Sequence, residues 1–400
     1  MNEFTFIDLF AGIGGFHQAM TKLGGRCVFA SEIDSNAAEV YSMNYGMYPA
    51  GDITLVDEQD IPQFDVLCAG FPCQAFSKAG LQKGFSDTRG TLFFEIERIL
   101  KYHLSRHKSP KIIILENVRN LVSHDHGNTW KTIKISLQNL GYVLPDEPII
   151  VSPHHFGIPQ LRERVVIVGV HNTVFKEKSV AIEIDRKQKY LSLANSILED
   201  NVSDKYVISD YENKILLVWD EFMKGIKLRT IGFPIWIDYF DGKINDELPK
   251  WKKEFIIKNK LLYIENKVFI DRWLEKHSYL LWAVPTHKKF EWQAGVSIDT
   301  LWKGIIQFRP SGIRVKRPTA FPALVAMVHI PVIGWQKRRL TPKEAARLQC
   351  FPDSFVLHDQ DKLAYRQLGN AVNVDVIYNI VQSFENKYGR IKDLIHLSSH

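Results

Sequence analysis

The sequence has no long hydrophobic run. No apolar stretch approaches the roughly 18 residues that a membrane-spanning helix needs, and the longest candidate, Pro322 to Gly334, is interrupted by His329 and Pro331. The first residues, Met1-Asn2-Glu3-Phe4-Thr5, carry neither the basic nor the apolar region of a secretory signal. A cytoplasmic protein without membrane association is therefore expected. Cysteine is scarce: there are four, Cys27, Cys68, Cys73 and Cys350. None forms a Cys-x-x-Cys pair and no Cys/His spacing fits a zinc site, which argues against a disulfide framework or a metal. The His124-Asp125-His126 and His154-His155 clusters read as polar loop residues. No internal repeat or low-complexity tract occurs.

Hydrophobic residues make up 45% of the chain and charged residues 24%, over 400 residues. That is enough to bury a full core and long enough for two domains. The net charge of +6 is modest, but its placement is uneven. Residues 250–317 hold 15 Lys/Arg against 6 Asp/Glu, a local excess of +9, so the remainder sums to −3. Such a segment suits a polyanionic partner, because neutralising phosphates releases counterions. From charge alone, a solvated face fits equally well.

The first 170 residues alternate β-rich runs with helical patterns, which predicts an α/β domain with a mostly parallel sheet. Strands are expected at Phe4–Leu9, Arg26–Ser31, Val66–Ala69, Lys111–Leu115 and Val165–Val170. Helices are expected at Phe16–Leu23, Asn36–Tyr45, Leu92–Tyr102 and Trp130–Leu140. After about residue 172 the alternation fades, and seven of the nine tryptophans fall between Trp219 and Trp302. Turn clusters there predict a separate, irregular domain whose aromatics form its core. Thr341-Pro342-Lys343-Glu344 then reads as a helix start, and an amphipathic helix is expected from Val374 to about Phe384.

The first strand runs into Asp8-Leu9-Phe10-Ala11-Gly12-Ile13-Gly14-Gly15-Phe16. Glycines between a strand and a helix let the backbone approach a ligand where helix N–H groups are unpaired, although many such turns are purely structural. The second strand ends at Glu32, placed to accept ribose hydroxyls, and Asp52 follows where an adenine amine could donate. Singly, each reads as a surface or capping acid; together they favour a nucleoside-containing cofactor. The next strand ends in Gly70-Phe71-Pro72-Cys73-Gln74. Cys68 lies inside an apolar run and reads as a small buried hydrophobe, whereas Cys73, between Pro and Gln, reads as an exposed thiol.

These segments, with Glu116-Asn117-Val118, Gln160-Leu161-Arg162-Glu163-Arg164 and Gln367-Leu368-Gly369-Asn370-Ala371-Val372, resemble the DNA cytosine-5 methyltransferases of bacterial restriction–modification systems. Gly80–Phe94 also looks like the family, and every motif stands in the family's order. The resemblance covers roughly residues 4–172 and 338–385. It implies an α/β fold: a Rossmann-like, S-adenosylmethionine-dependent methyltransferase sheet and a second, smaller irregular target-recognition domain. Residues 1–172 plus about 338–400 would form the catalytic and cofactor-binding domain, and 173–337 the DNA-binding one.

The resemblance also implies roles. Cys73 would be the nucleophile that adds to cytosine carbon 6, and Glu116 would protonate or hydrogen-bond ring nitrogen 3. Arg162 would hold the base and brace the nucleophile, with Arg164 supporting the site. S-adenosyl-L-methionine would lie against Phe10, Gly12, Gly14, Glu32, Ile33, Asp52, Ile53, Phe71, Pro72, Asn370 and Val372, leaving as S-adenosyl-L-homocysteine, with no metal. Residues 74–91 would close over double-stranded DNA, offering Ser77, Lys78, Lys83 and Arg89 to it. Arg309, Ser311 and Arg314, beside Lys288, Lys289, Lys316 and Arg317, are the candidate contacts in the middle domain. The protein is expected to work as a monomer, alongside a restriction endonuclease cutting the same sequence. A tRNA cytosine-5 methyltransferase is the near alternative, and a catalytically silent DNA-binding homologue the distant one. An amino-methylating enzyme is excluded, because its Pro-Pro-aromatic loop is replaced here by Phe71-Pro72-Cys73.

Overall fold

The computed structural model describes residues 3–72, 92–187, 193–226, 232–241, 247–324 and 329–396. The chain divides into two compact units, Met1–Ser192 with Ala345–His400, and Leu193–Glu344.

The first unit is built on short apolar runs that become parallel strands, the inner ones buried on both faces and the edge strand Gly25–Ser31 only partly. They are β1 (Phe4–Leu9), β2 (Gly25–Ser31), β3 (Val66–Ala69) and β4 (Ile112–Val118). These pair in parallel in the order β2-β1-β3-β4. The far edge differs from the mostly parallel sheet expected. There β5 (Tyr142–Val143) and β6 (Ile149–Val151) both pair with β7 (Arg164–His171) antiparallel, and β7 runs antiparallel to β4, giving a mixed seven-stranded sheet. An apolar run gives a strand's burial but not its direction, so this reversal has no local signal.

Four helices connect these strands: α1 (Gly15–Lys22), α2 (Ser35–Tyr45), α3 (Leu92–Ser105) and α4 (Asn128–Asn139). Asp34 caps α2 by accepting from the N–H groups of Asn36 and Ala37, and Gly46 ends it at φ 65°. Helix α3 buries Phe93, Ile96, Ile99 and Leu100 at helical spacing. With Ile133 and Leu137 of α4, these cover the sheet face formed by Ile7, Leu9, Leu67, Ala69, Ile113 and Leu115. Each such large side chain contributes about 1.5–3 kcal/mol by leaving water.

The second unit carries regular structure that its sequence pattern does not announce. Helix α5 (Asp210–Gly225) starts at a capping box in which Ser209 and Glu212 satisfy each other's backbone N–H. After β8 (Ile235–Trp236) come α6 (Lys250–Glu265) and α7 (Lys267–Lys276). The other strands of its main sheet are β9 (Lys289–Gln293), β10 (Ile305–Arg309), β11 (Gly312–Lys316), β12 (Val332–Ile333) and β13 (Arg338–Arg339). They form a six-stranded sheet in the order β13-β12-β10-β11-β9-β8. Three of these strands have only two residues, too few to show an alternating pattern. Trp219, Phe222, Trp273 and Phe290 fill the core, with Trp219 stacked on Phe290 at 4.8 Å. Near the end of this unit Arg338 and Glu344 form a buried two-pronged ion pair at 2.8 and 2.6 Å.

The last stretch returns to the first unit with α8 (Asp361–Asn370), α9 (Val374–Tyr388) and α10 (Ile391–His396). Helix α9 packs on α1, and Asn373 caps it by accepting from Val376 N–H at 3.1 Å. The first unit is thus closed by residues more than three hundred positions from its first strand.

Candidate active site

A cavity of about 390 Å³ opens where β1, β2, β3 and β4 end, all within the first unit. Strand C-termini are where α/β sheets place ligands.

Its first wall is the glycine-rich turn. Phe10 and Gly12 both sit at φ 56° and Gly14 at 88°, left-handed values that cost a non-glycine residue energy and are typical of functional turns. Three backbone N–H groups hold the turn: Ala11 N–H donates to Ser31 O at 2.9 Å, Gly14 N–H to Ala11 O at 2.9 Å, and Gly12 N–H to the Glu32 side chain, at Oε2, at 2.7 Å. The other Glu32 oxygen accepts from Asp34 N–H at 2.8 Å. Burial pushes the Glu32 carboxyl above the usual range, and the backbone N–H groups of Asp34, Gly12 and Ile33 only partly offset it.

Glu32, Ile33, Asp52 and Ile53 line the next wall. Ile33 is 73% exposed, an apolar surface turned outward at the cavity. Asp52 Oδ1 takes both Thr54 N–H and its hydroxyl, at 2.9 and 2.8 Å. Among the described residues, Asp52 Oδ2 makes no hydrogen bond.

Behind the turn lies a polar cluster. Asp8 is fully buried and accepts from His17 N–H at 3.2 Å; burial drives its carboxyl well above the usual range. His17 Nδ1 lies 2.6 Å from the Tyr41 hydroxyl, and burial lowers its imidazole to about 4. Its ring stacks on Tyr45 at 3.8 Å, and Tyr45 donates to Gly14 O at 2.9 Å. A Cβ on Gly14 would stand 2.2 Å from the Tyr45 ring. Gly14 is therefore packed beneath the turn and is not among the cavity-lining residues.

At the opposite end stand Phe71, Pro72, Glu116, Arg162 and Arg164. Asn117 ties this end together: its Nδ2 donates to Phe71 O at 2.8 Å and its Oδ1 accepts from Val118 N–H at 2.8 Å. Glu116 pairs with Arg164 Nε at 3.0 Å. Burial raises the Glu116 carboxyl, against the lowering pull of Arg164 and Arg162. Arg162 is 2% exposed. Its backbone N–H donates to Ser152 Oγ at 2.9 Å and its guanidinium to Ala371 O at 3.0 Å. Burial lowers that guanidinium to about 9, still charged at neutral pH.

Helix α8 supplies Arg366, Gln367, Gly369 and Asn370 to the remaining wall. Arg366 pairs with Asp34 at the far corner. Val372 instead packs beneath: a Cβ on Gly15 would meet Val372 O at 2.2 Å, and one on Gly70 would meet its side chain at 3.1 Å. The structure thus brings Phe10, Gly12, Glu32, Ile33, Asp52, Ile53, Phe71, Pro72, Asn370, Glu116, Arg162 and Arg164 around one cavity. Cys73, Ser77, Lys78, Lys83 and Arg89 lie outside the described residues. Asn117, Ser152, Arg366 and Gln367 received no role from the sequence. Asn117 and Gln367 stood inside quoted motifs, but what they touch is set by tertiary contacts.

In the second unit, Arg309 and Arg314 share one carboxylate, with Glu291 Oε2 at 2.6 and 2.8 Å. The β9–β11–β10 register puts Glu291, Arg314 and Gln307 on one face, opposite the buried Phe290, Ile313 and Ile306. Ser311 is exposed in the turn between β10 and β11.

A Rossmann-like sheet with a cavity at its strand ends, acidic at one corner and carrying a carboxyl–guanidinium pair at the other, is the architecture of S-adenosylmethionine-dependent methyltransferases. The family is more specific: residues 4–386 match the model of the C-5 cytosine-specific DNA methylases, and the chain belongs to that family. The type II methyltransferase M.HpaII of Haemophilus parainfluenzae is 37% identical, over 98% of this chain and 92% of its own length. M.HhaI of Haemophilus parahaemolyticus is 33% identical, over 96% and 95%, and M.AluI of Cellulosimicrobium cellulans 33%, over 95% and 91%. Among solved structures, the fold is similar to that of a Spodoptera frugiperda DNMT2 mutant, with a TM-score of 0.54 and 20% identity over 96% of this chain and 99% of that one. The S. pombe Dnmt2 methyltransferase gives 0.54 and 18% over the same shares.

Proposed function

We propose that the chain methylates carbon 5 of a cytosine turned out of a specific duplex DNA sequence, through a covalent adduct with Cys73, as the modification enzyme of a type II restriction–modification system. The observation that carries this is a cavity with acids at one end, Glu116 and two arginines at the other, and Pro72, the residue before Cys73, on its wall.

The residues present fit S-adenosyl-L-methionine. A carboxylate offers about four acceptor positions, and Glu32 spends two on backbone N–H groups, which leaves capacity for ribose hydroxyls. Asp52 Oδ2 suits an adenine amine, and Phe10 and Ile33 suit its ring faces. Ser31 Oγ and both amide atoms of Gln367 belong to cavity-lining residues, and each is buried with no hydrogen-bond partner among the described residues, as a wall that receives a polar molecule would be. When bound, the cofactor supplies an electrophilic methyl group on a positively charged sulfur and leaves as S-adenosyl-L-homocysteine. The chemistry calls for no metal.

Carbon 5 of cytosine is too weak a nucleophile to take that methyl unaided. Addition of the Cys73 thiolate to carbon 6 pushes electrons toward nitrogen 3 and makes carbon 5 enamine-like. Glu116, kept protonated more readily by burial, donates to nitrogen 3 as that charge develops. Arg164 fixes the Glu116 carboxyl, and Arg162 holds the base from a position anchored on Ala371. Once carbon 5 is methylated, its proton leaves to water and Cys73 is eliminated. Reaching carbon 6 requires the base to leave the stack, at a cost of a few kcal/mol. Ser77, Lys78, Lys83 and Arg89 hold the DNA during that step, and Arg309, Ser311 and Arg314 contact it from the second unit. Relatives named as type II methyltransferases fit a chain that works beside a partner endonuclease on the same site; the enzyme works as a cytoplasmic monomer.

The test is transfer of labelled methyl from S-adenosylmethionine to duplex DNA and, separately, to tRNA, followed by bisulfite sequencing. Label is expected in DNA as 5-methylcytosine at one recurring sequence. Label only in tRNA, or only on the exocyclic amine, contradicts the proposal.

A further inference from the structure

Granting that the cavity takes S-adenosylmethionine, we infer that Gln367 contacts the amino-acid head of that molecule, a role no motif assigns to it. Gln367 is 5% exposed and lines the cavity. Neither Nε2 nor Oε1 has a hydrogen-bond partner among the described residues. Leaving a buried amide unsatisfied costs free energy on both its donor and its acceptor side, so a side chain kept there needs a polar partner.

Its place on α8 indicates which part of the ligand it meets. One residue earlier, Arg366 is bound to Asp34 at the ribose corner. Four residues later, Ala371 O accepts from Arg162 at the corner of the reacting base. Gln367 lies between these anchors, where the amino-acid chain branches from the sulfur between nucleoside and base. The head carries an ammonium and a carboxylate, and a primary amide offers an acceptor for one and a donor for the other. Of the charged groups around the cavity, Glu32 is bonded to the glycine-rich turn, Arg366 to Asp34 and Arg164 to Glu116. Glu32 and Asp52, moreover, would repel a carboxylate.

The experiment compares binding of S-adenosyl-L-homocysteine, which has the head, with 5′-methylthioadenosine, which lacks it, by calorimetry on the full chain without DNA. Gln367→Leu is expected to weaken S-adenosylhomocysteine roughly tenfold, as for one lost hydrogen bond to a charged group, and to leave methylthioadenosine within twofold. Gln367→Glu, which keeps the size and loses the donor, should show the same split and covers the case in which the leucine variant fails to fold. Equal losses for both ligands, or no loss for either, overturn the inference. Failure of the unmodified chain to bind S-adenosylhomocysteine at all would instead overturn the cofactor assignment beneath it.

Discussion

Glu116 is held between opposing influences. Burial favours its neutral form, while Arg164 at 3.0 Å and the neighbouring Arg162 favour the carboxylate, and burial is the larger. Its pKa in the folded chain is therefore raised. The stability it contributes is fully present below its unfolded pKa and is lost as pH rises through the folded one. The same titration governs catalysis if the protonated carboxyl is the donor to nitrogen 3. The transfer rate should then fall on the alkaline side as Glu116 deprotonates. The Glu116→Gln variant, whose amide is a permanently neutral donor, should be slower at the optimum and should lack that limb in a single-turnover pH profile. An unchanged limb in the variant would assign it to another group. Asn117, next along, shows why neighbours in one motif do different work: Glu116 faces the cavity, whereas Asn117 holds the Phe71 carbonyl and so the entry to Pro72-Cys73.

At the scale of elements, the acidic end of the cavity depends on close approach among the glycine-rich turn, α1, α2 and α9. Gly14 needs both its φ of 88° and the absence of a side chain, since Tyr45 occupies the space a Cβ would fill. A left-handed conformation costs a non-glycine residue roughly 1–2 kcal/mol, and the clash adds to it. Gly14→Ala should destabilise the chain by about 2 kcal/mol or more in urea denaturation and weaken S-adenosylhomocysteine binding at least tenfold. Unchanged stability and affinity would show that the turn tolerates a different path. The same elements show what the sequence made legible. Strands β1 to β4 and helices α1 to α4 follow from apolar runs, helical spacing and punctuation by Gly, Pro and Asp, and their ends fall within a few residues of those expected. The direction of β7 was hidden because pairing sense is a tertiary property. Three of the six strands in the second unit's main sheet were hidden because they have only two residues.

For the whole molecule, what could be read from the sequence divides the same way. Phe10, Glu32, Asp52, Glu116 and Arg162 were named from local motifs, and all line one cavity. Arg162's acceptor, Ala371, is 209 residues away, and Arg366 reaches Asp34 across 332. Contacts that distant in sequence leave no local signature, so the wall formed by α8 emerged only from the fold. The pairing of Arg309 and Arg314 with Glu291 was equally invisible: charge counts record an excess, not which cations are already engaged. The central claim, however, concerns Cys73 and is chemical. Duplex DNA carrying 5-fluorocytosine at the methylated position should, with S-adenosylmethionine present, give a denaturation-resistant complex, because fluorine cannot leave carbon 5 as a proton does. The complex should be absent in Cys73→Ser. Normal methylation of unmodified DNA with no trapped complex on the fluorinated duplex would contradict the covalent mechanism.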